Sequence, residues 1–365
     1  MAYTNIDDPS AHFQTKIYSG QNSVQSVTND GNSNLKPDWL WIKSRNDSDI
    51  HVITNSTTGT DLYLQTNNDA GEVSSTGDVE SFDTNGFSLA GVNDRVNTNG
   101  GLFVAWQWKA NGGTTTSKSS ATVSGNVTTP CVQQVNTDAG FSIITYTAST
   151  SYAGTETHLE HGLGVGPKVL IVKRRDTAAD WAVYHAGNGA SSNAGYGYNV
   201  LNSTAATATS STYWLNTPAE SNSTLLAFGN NASVGADSGE YVCYAFAEKQ
   251  GYSKFGGYVG NGNDNGPFIY TGFKPAFVLT KGTNVSQWRL YDSARSPNNV
   301  NINRLFPYST SAEATDTDAG IDMLSNGFKI RGSGGDYNAS GTTYIYMAFA
   351  DNPFVTSTGI PTTAR

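Results

Sequence analysis

Short apolar runs and polar turn residues alternate along the whole chain, and one kind of run returns at regular intervals. The segments 103–108, 241–246 and 344–349 place a large apolar side chain at every second position. This two-residue period is typical of a β-strand with two different faces. Asn-Gly, Asp-Gly and Gly-Asn steps between the runs favour tight hairpin turns. No stretch sustains the 3.6-residue period of a helix, so the pattern predicts an all-β chain with little helix.

Other anchors precede each of these closing strands in a fixed order. Each copy has an opening tyrosine, then a proline followed by an apolar run, and these residues are Tyr18, Tyr146 and Tyr258, and Pro37, Pro167 and Pro275. Ile50, Trp181 and Trp288 follow those prolines by 13, 14 and 13 residues. Such conserved spacing indicates three copies of one module.

Copies one and three share two further anchors. Asn-Gly-Phe occurs at 85–87 and 326–328, in both cases 16 residues before the closing strand. Glu72 lies 15 residues before the phenylalanine of the first Asn-Gly-Phe step, and Glu313 lies 15 residues before that of the second. Copy two lacks the Asn-Gly-Phe step, so the three copies need not share one function.

The repeat predicts three tandem antiparallel β-sandwich modules of the jelly-roll or concanavalin-like type, because about eight short strands per copy suit two stacked sheets. In the third copy we predict strands at 254–260, 268–272, 276–281, 288–292, 303–307, 321–325, 327–331 and 344–350. The predicted organisation is a leader at 1–10, module 1 at 11–112, a Ser/Thr/Gly linker at 113–137, module 2 at 138–249, module 3 at 250–352 and a tail at 353–365. Modules 2 and 3 are expected to pack closely, with module 1 attached more loosely or its linker lying along a neighbour.

Composition narrows the classes of function. Aromatic residues make up 11% of the chain, which disfavours general disorder. The net charge of −9 disfavours binding to nucleic acid or to an anionic membrane. The N-terminus does not resemble a signal peptide, and no apolar segment is long enough to span a membrane. Basic residues cluster only at Lys43 with Arg45 and at 173–175, where we expect solvated strand ends.

Candidate chemical groups are sparse. Glu156 and Glu160 are four residues apart, but they lie among glycines and we expect surface acids and no enzyme. His158 and His161 could bind one metal ion side by side only on a helix, which the flanking glycines disfavour, so no metal or cofactor is expected. The 261–266 turn has oxygen ligands suited to calcium, but a hairpin turn explains it equally well. Cys131 and Cys243 are expected to remain unpaired thiols.

Aromatic residues divide into repeated and unrepeated positions. The repeated ones, which we expect in the core, are Trp108, Trp181, Phe246, Trp288 and Phe349. Tyr196, Tyr198 and Trp214 have no close match in the other copies and are candidates for stacking on a sugar ring. Loop side chains of Asn261, Asn263 and Asp264 are candidates for hydrogen bonds to the same kind of ligand.

The repeat also resembles a module of virion proteins from marine bacteriophages. The segments that carry the resemblance are 258–278 (Tyr-Val-Gly-Asn-Gly-Asn-Asp-Asn-Gly-Pro-Phe-Ile-Tyr-Thr-Gly-Phe-Lys-Pro-Ala-Phe-Val), 324–329, 344–354, 161–168, 247–255 and the leader 6–14. The resemblance covers nearly the whole chain. It implies lectin-like or SPRY-like sandwiches in a structural protein of the virion, and it supplies no catalytic residues.

This resemblance sets our functional expectations. We expect a surface-exposed, tail-associated or fibre-like protein that is assembled in the bacterial cytoplasm, contacts other virion proteins and binds a glycan on the host surface. A homo-oligomer is expected, and fibre proteins suggest a trimer. The alternatives are a head decoration or capsid-fibre protein and, less favoured, a glycan depolymerase. Specificity is expected where copy two differs from the others, in the loops 155–166 and 187–214 and in the long linker before that copy.

Overall fold

The computed structural model describes residues 2–75, 77–91, 94–149, 156–188, 196–215, 223–317 and 319–362. Within these ranges the chain is all-β and its sheets are antiparallel, which confirms the predicted fold class. The α-helices there are two single turns, α1 (Asp94–Asn97) and α2 (Gly335–Asn338). Neither they nor the short 3-10 turns at Pro9–Ala11 and Ala186–Asn188 offer a membrane-spanning helix in the described chain.

The strands fall into three groups along the chain, here called units 1, 2 and 3. Unit 1 contains β1 (Phe13–Ser19), β2 (Gln25–Thr28), β3 (Trp39–Ser44), β4 (His51–Asn55), β5 (Gly59–Leu64), β6 (Val73–Ser74), β7 (Val79–Asp83), β8 (Gly86–Leu89) and β9 (Leu102–Trp108). Unit 2 contains β10 (Thr116–Lys118), β11 (Thr122–Val123), β12 (Asn126–Val127), β13 (Cys131–Asn136), β14 (Phe141–Thr147), β15 (Thr157–Glu160), β16 (Val169–Arg174), β17 (Ala182–His185), β18 (Tyr196–Val200), β19 (Ala208–Ser210), β20 (Leu225–Phe228) and β21 (Glu240–Phe246). Unit 3 contains β22 (Ser253–Val259), β23 (Asn265–Tyr270), β24 (Phe273–Gly282), β25 (Arg289–Asp292), β26 (Asn303–Arg304), β27 (Ala314–Thr315), β28 (Gly320–Leu324), β29 (Gly327–Arg331) and β30 (Thr343–Pro353).

Each unit builds a large inner sheet around the same strand order. The order is β1-β9-β3-β4 in unit 1, β14-β21-β16-β17 in unit 2 and β22-β30-β24-β25 in unit 3. A smaller outer sheet accompanies each one, with the orders β2-β8-β7, β15-β20 and β23-β29-β28. The repeated sequence anchors therefore correspond to repeated strand positions.

The inner sheets are covered on both faces. In β3, Trp39 and Trp41 belong to one apolar cluster, while Leu40 and Ile42 between them belong to another. The second cluster lies between the inner and outer sheets of unit 1, and units 2 and 3 have clusters of their own in the same place. Burial on both faces explains why the run after each proline is continuously apolar.

The other face of all three inner sheets meets in one common core. Trp39 stacks on Tyr244 of unit 2 with ring centroids 4.5 Å apart, and Phe13 stacks on Phe349 of unit 3 at 5.3 Å. The repeated aromatics predicted to be core are all at most 3% exposed, which confirms that prediction for Trp108, Trp181, Phe246, Trp288 and Phe349. The units are thus three lobes around a shared core, which places unit 1 in the same close packing as units 2 and 3.

Equivalent hydrogen bonds join the units into a closed ring. At each junction a ring nitrogen of one unit lies within hydrogen-bond distance of a backbone carbonyl of the next, and the pairs are Trp181 with Gln65 (2.7 Å), Trp288 with Val200 (2.9 Å) and His51 with Phe306 (3.0 Å). Seven residues after each of these carbonyls, a backbone N–H donates to the neighbouring unit, and these pairs are Glu72 with Arg175, Thr207 with Thr283 and Glu313 with Arg45. Unit 2 therefore contacts unit 1, unit 3 contacts unit 2, and unit 1 contacts unit 3.

The segment 113–137, predicted as a flexible or extended linker, supplies strands to unit 2. Strands β10 and β13 extend its inner sheet beyond β14, and the predicted boundary at 138 falls after β13 has already joined that sheet. Gln134 Nε2 also donates to the hydroxyls of Ser56 and Thr57, so this strand contacts unit 1. The Ser/Thr/Gly composition predicted a linker because it offers few apolar side chains to bury. A strand at the edge of a sheet is held by backbone hydrogen bonds, which do not depend on such side chains.

The lysines of the basic clusters are buried, so the expectation of solvated strand ends was wrong for them, whereas the arginines of these clusters are partly exposed. Lys43, Lys173 and the equivalent Lys281 are 0% exposed. Burial lowers the pKa of each amine to about 8, so all three remain protonated at pH 7. Each ammonium donates to the carbonyl of the following residue and to a further loop carbonyl, and those carbonyls belong to Ser44 and Asp47, Arg174 and Ala179, and Gly282 and Asn284. The lysines thus hold the loop that follows the third strand of the repeat.

Candidate functional site

The aromatic residues predicted to stack on a ligand pack into or against the apolar core of unit 2 instead. Trp214 is 1% exposed in the core of unit 2, so its prediction as an exposed platform was wrong. Tyr198 stacks on Tyr213 with ring centroids 3.9 Å apart and an interplanar angle of 9°. Tyr196 and Tyr198 are half-buried against the same core. Residues 155 and 189–195 of the loops expected to carry specificity lie outside the described residues.

The predicted polar residues Asn261, Asn263 and Asp264 form an exposed turn between β22 and β23. Their polar atoms largely hold the turn itself. Asn261 Oδ1 accepts from the Asn263 N–H at 3.0 Å and from Asn338 Nδ2 at 3.1 Å. The Asp264 carbonyl accepts from the Gly332 N–H. The turn therefore borders the outer sheet of unit 3.

The acids and histidines of unit 2 have local partners. Glu160 Oε2 lies 3.4 Å from Lys118 Nζ, and Glu156 Oε2 lies 3.4 Å from His158 Nε2. Thr157–Glu160 forms strand β15, where the flanking glycines had suggested a loop. No group of three potential metal ligands occurs among the described residues. Cys131 and Cys243 are buried free thiols, as predicted.

The outer sheet of unit 3 presents an aromatic surface that the sequence analysis did not select. Ile269 of β23 and Phe328 of β29 point into the core between the two sheets of the unit. Because side chains alternate along a strand, Phe268 and Tyr270 lie on the opposite, outward face. They are 45% and 55% exposed. Such exposure is unusual for two aromatic side chains on one strand.

Strand register defines the rest of this face. Tyr270 pairs with Gly327, which pairs with Leu324, so these three residues form one row across the sheet. The next row is Phe268, Lys329 and Asp322. We call the outward face formed by Phe268, Tyr270, Gly327, Leu324 and Lys329 the aromatic platform.

Glycine leaves room in the middle of the platform. A Cβ at Gly327 would lie 3.1 Å from the Phe268 ring, so that ring lies over the glycine. Tyr270 is held from one side, because its hydroxyl lies 3.2 Å from the hydroxyl of Tyr3, which donates to the Gly272 carbonyl. The platform is therefore a fixed surface on a strand.

Charged groups lie next to the aromatic rings. Arg331 Nε donates to Asp322 Oδ2, and the arginine side chain remains 42% exposed. Lys329 Nζ donates to the Gly266 carbonyl at 2.9 Å. Asp322 is thus paired with Arg331, whereas the Lys329 ammonium contacts a neutral carbonyl, and one further exposed carboxylate, Asp264, lies in the turn that borders this sheet.

A cleft of about 800 Å³ adjoins the platform at Leu324. Asn299 holds its wall, since its amide donates to the Met323 carbonyl at 3.0 Å and accepts from the Met323 N–H at 2.8 Å. The remaining lining is mainly polar and includes Lys274, Ser293, Ser296, Asn298 and Thr362. Platform and cleft together offer a continuous surface for an extended ligand.

The sequence contained a signal for Phe268 and Tyr270. In a half-buried strand the outward positions are normally polar, as Ser26 and Thr28 are at the equivalent positions of β2 in unit 1. Comparing outward positions between copies, in addition to the shared anchors, would have identified the two aromatics.

The fold and this surface define an all-β protein with three lobes, a shared core and an exposed aromatic surface on one lobe. The chain belongs to the family described as a domain of unknown function, DUF7483, whose model matches residues 8–353. One family model spans all three units, in agreement with their common core. Neither the curated proteins nor the solved structures gave a match to the chain.

Proposed function

We propose that the protein is a surface-exposed structural protein of a bacteriophage particle, tail-associated or fibre-like, that contacts a glycan on the host surface. The observation that carries this proposal is the aromatic platform of unit 3. Exposed aromatic rings beside polar and charged side chains are suited to sugars, whose rings have both apolar faces and hydroxyl edges.

The three-lobed body suits a structural role. The inner sheet of every unit is covered on both faces, so partners must bind at outer sheets, edges and loops. We expect those partners to be other virion proteins, with the protein present in several symmetric copies. The role is non-catalytic in this proposal, and glycan depolymerisation is the less favoured alternative.

One observation favours a second candidate, a head decoration or capsid-fibre protein. A single chain with three equivalent lobes has the approximate symmetry of a threefold position on an icosahedral shell. In that case the partner is the capsid, and the platform faces outward or contacts a neighbouring subunit.

Cryo-electron microscopy of particles that contain the protein tests the location. Density on the tail or its fibres is the expected result, and density confined to the capsomers contradicts the tail proposal and favours head decoration.

Binding to host cells and to host lipopolysaccharide tests recognition, with a non-host strain as the control. Failure of the native oligomer to bind host cells would contradict the receptor role. Release of reducing sugar from host polysaccharide would instead support a depolymerase.

A further inference from the structure

Units 1 and 3 build their outer sheets on the same pairing but give them different surfaces. Gly86 and Gly327 occupy equivalent positions in β8 and β29. In unit 1 the Ser26 hydroxyl lies 3.1 Å from that of Ser88, which donates to Asp83 Oδ2 at 2.6 Å. That face is hydroxyl-rich, and its groups bond one another. The fold therefore does not require aromatic residues at the corresponding positions of unit 3.

We propose that the aromatic platform of unit 3 binds an acidic glycan, one whose sugar rings carry carboxylate or sulfate groups. This inference rests on the proposed function, which supplies glycan binding. It adds the position of the binding site and the negative charge of the glycan. The rings of Phe268 and Tyr270 provide apolar surface for the faces of the sugars. Because the two side chains are two residues apart on a strand, their Cα atoms are about 7 Å apart, which allows contact with more than one sugar.

The acidic class follows from the charges beside the rings. Lys329 lies in the same row as Phe268, and Arg331 follows on the same outward face. The carboxylate of Asp322 pairs with Arg331. The cation beside the aromatic rings that is not paired with this carboxylate is therefore Lys329. The Lys329 ammonium, which contacts a neutral carbonyl and lies in the row of Phe268, favours an anionic group on the ligand by local complementarity.

The cleft extends the same site. Lys274 Nζ pairs with Asp351 at 2.7 Å, and the lysine side chain is 37% exposed, so it remains accessible from the cleft. Asn298 and Ser296 supply amide and hydroxyl groups along the lining. An oligosaccharide of several residues can therefore contact the platform with one end and the cleft with the other.

Calorimetry with two matched probes tests the proposal on the full chain. The probes are tetragalacturonate and its fully methyl-esterified form, which has the same sugars without the charge. We expect tetragalacturonate to bind and its affinity to fall with added salt, and we expect the ester to bind at least tenfold more weakly. Equal affinity for both probes would overturn the acidic class.

Substitutions taken from unit 1 test the site. Phe268→Ser with Tyr270→Thr, and separately Lys329→Ser, introduce the residues found at equivalent positions of unit 1. Each is expected to weaken tetragalacturonate binding at least about tenfold, as loss of an anchoring side chain does. Ser26→Ala with Thr28→Ala is the matched control and should leave affinity unchanged. Thermal unfolding of every variant establishes that it is folded.

The outcomes separate the site from the function. If the wild-type protein binds tetragalacturonate but the unit 3 variants bind equally well, the platform assignment is wrong while glycan binding stands. If neither probe binds at millimolar concentration, the acidic-glycan inference is overturned. Host-cell binding by the wild-type protein then decides separately whether the proposed receptor role survives.

Discussion

The glycine of the repeated Asn-Gly-Phe step shows how one residue fixes a strand pair. A Cβ at Gly86 would lie 2.0 Å from the Val27 carbonyl oxygen, and one at Gly327 would lie 2.1 Å from that of Ile269. Only glycine lets the two backbones approach this closely. The phenylalanine that follows each glycine is 0% exposed and fills the core between the sheets.

Gly327→Ala is therefore expected to destabilise the protein by about 1–3 kcal/mol, because the backbones must separate to admit the methyl group. Gly335→Ala is the control, since a Cβ there has no atom within 4 Å. Chemical denaturation of both variants measures the difference. An unchanged midpoint for Gly327→Ala would contradict the close approach of the two strands.

His185 makes stability depend on pH. Its Nε2 lies 2.9 Å from the Tyr346 carbonyl of unit 3, and burial lowers its pKa from 6.5 to about 4. The unfolded chain therefore takes up a proton near pH 6.5, before the folded protein does. Stability from this group is fully present above pH 6.5 and is lost as the pH falls towards 4.

We expect His185 to account for about 3 kcal/mol of destabilisation between pH 7 and pH 4. His185→Gln should reduce this pH dependence, because glutamine does not titrate. Denaturant titrations at both pH values measure it for the wild type and the variant. Identical pH dependence in the two proteins would exclude His185 as the cause.

At the scale of elements, the sequence predicted strands better than their arrangement. All eight strands predicted for unit 3 overlap observed ones, and among the described residues of this unit only the two-residue β27 was missed. The alternation of apolar and polar residues and the turn residues are local signals, so strands can be predicted from short segments of sequence. The shared core is not a local signal, although the continuously apolar runs after Pro37, Pro167 and Pro275 lie in strands that are covered on both faces.

Two equivalences between the units were hidden by local sequence changes. Ile50 was aligned with Trp181 and Trp288 by spacing, but the ring that makes the junction contact in unit 1 belongs to His51. Phe228 takes the place of the Asn-Gly-Phe phenylalanine in unit 2, since its ring lies 5.9 Å from the opening Tyr146. In the first case the contact is kept by a different residue one position later, and in the second a phenylalanine is kept without the Asn-Gly step before it, so neither is detected from spacing and motif alone.

The outer face of β23 was missed for a different reason. The anchors that the copies share are residues that build the scaffold. Phe268 and Tyr270 are not such anchors, since the equivalent residues of unit 1 are Ser26 and Thr28. Trp214 is also unrepeated and was predicted to be exposed, but it is buried, because its place in the fold decides its exposure and its absence from the other copies does not.

The junctions between units differ in their charges, so the contribution of an ion pair to one junction can be measured. Arg175 forms a 2.6 Å ion pair with Glu72, and Arg45 pairs with Glu313 at 3.0 Å. The third junction has Thr283 and Thr207 at the corresponding positions, joined by a backbone hydrogen bond.

A double-mutant cycle of Arg175→Met and Glu72→Gln should give a coupling energy of about 1–3 kcal/mol, because both side chains are at least four-fifths buried. Unfolding free energies of the two single variants and the double variant supply the cycle. Additive effects would mean that this pair contributes nothing specific to the junction.

For the whole molecule, the common core predicts cooperative unfolding. Residues of all three units belong to one apolar cluster, so removing a unit exposes the inner faces of the other two. We expect one calorimetric transition for the full chain, with equal calorimetric and van 't Hoff enthalpies. A chain ending at 249 should lose this transition or aggregate, and three separable transitions would show that the lobes fold independently.

Joining the three lobes in one chain also changes what a single mutation can do. In a homotrimer of identical subunits, every substitution appears at three places at once. Here a change at Phe268 alters one lobe, while Ser26 at the equivalent position keeps its hydroxyl. Covalent linkage therefore allows the outer surfaces of the three lobes to differ in sequence. The contacts of the common core still require the same strand arrangement in each lobe.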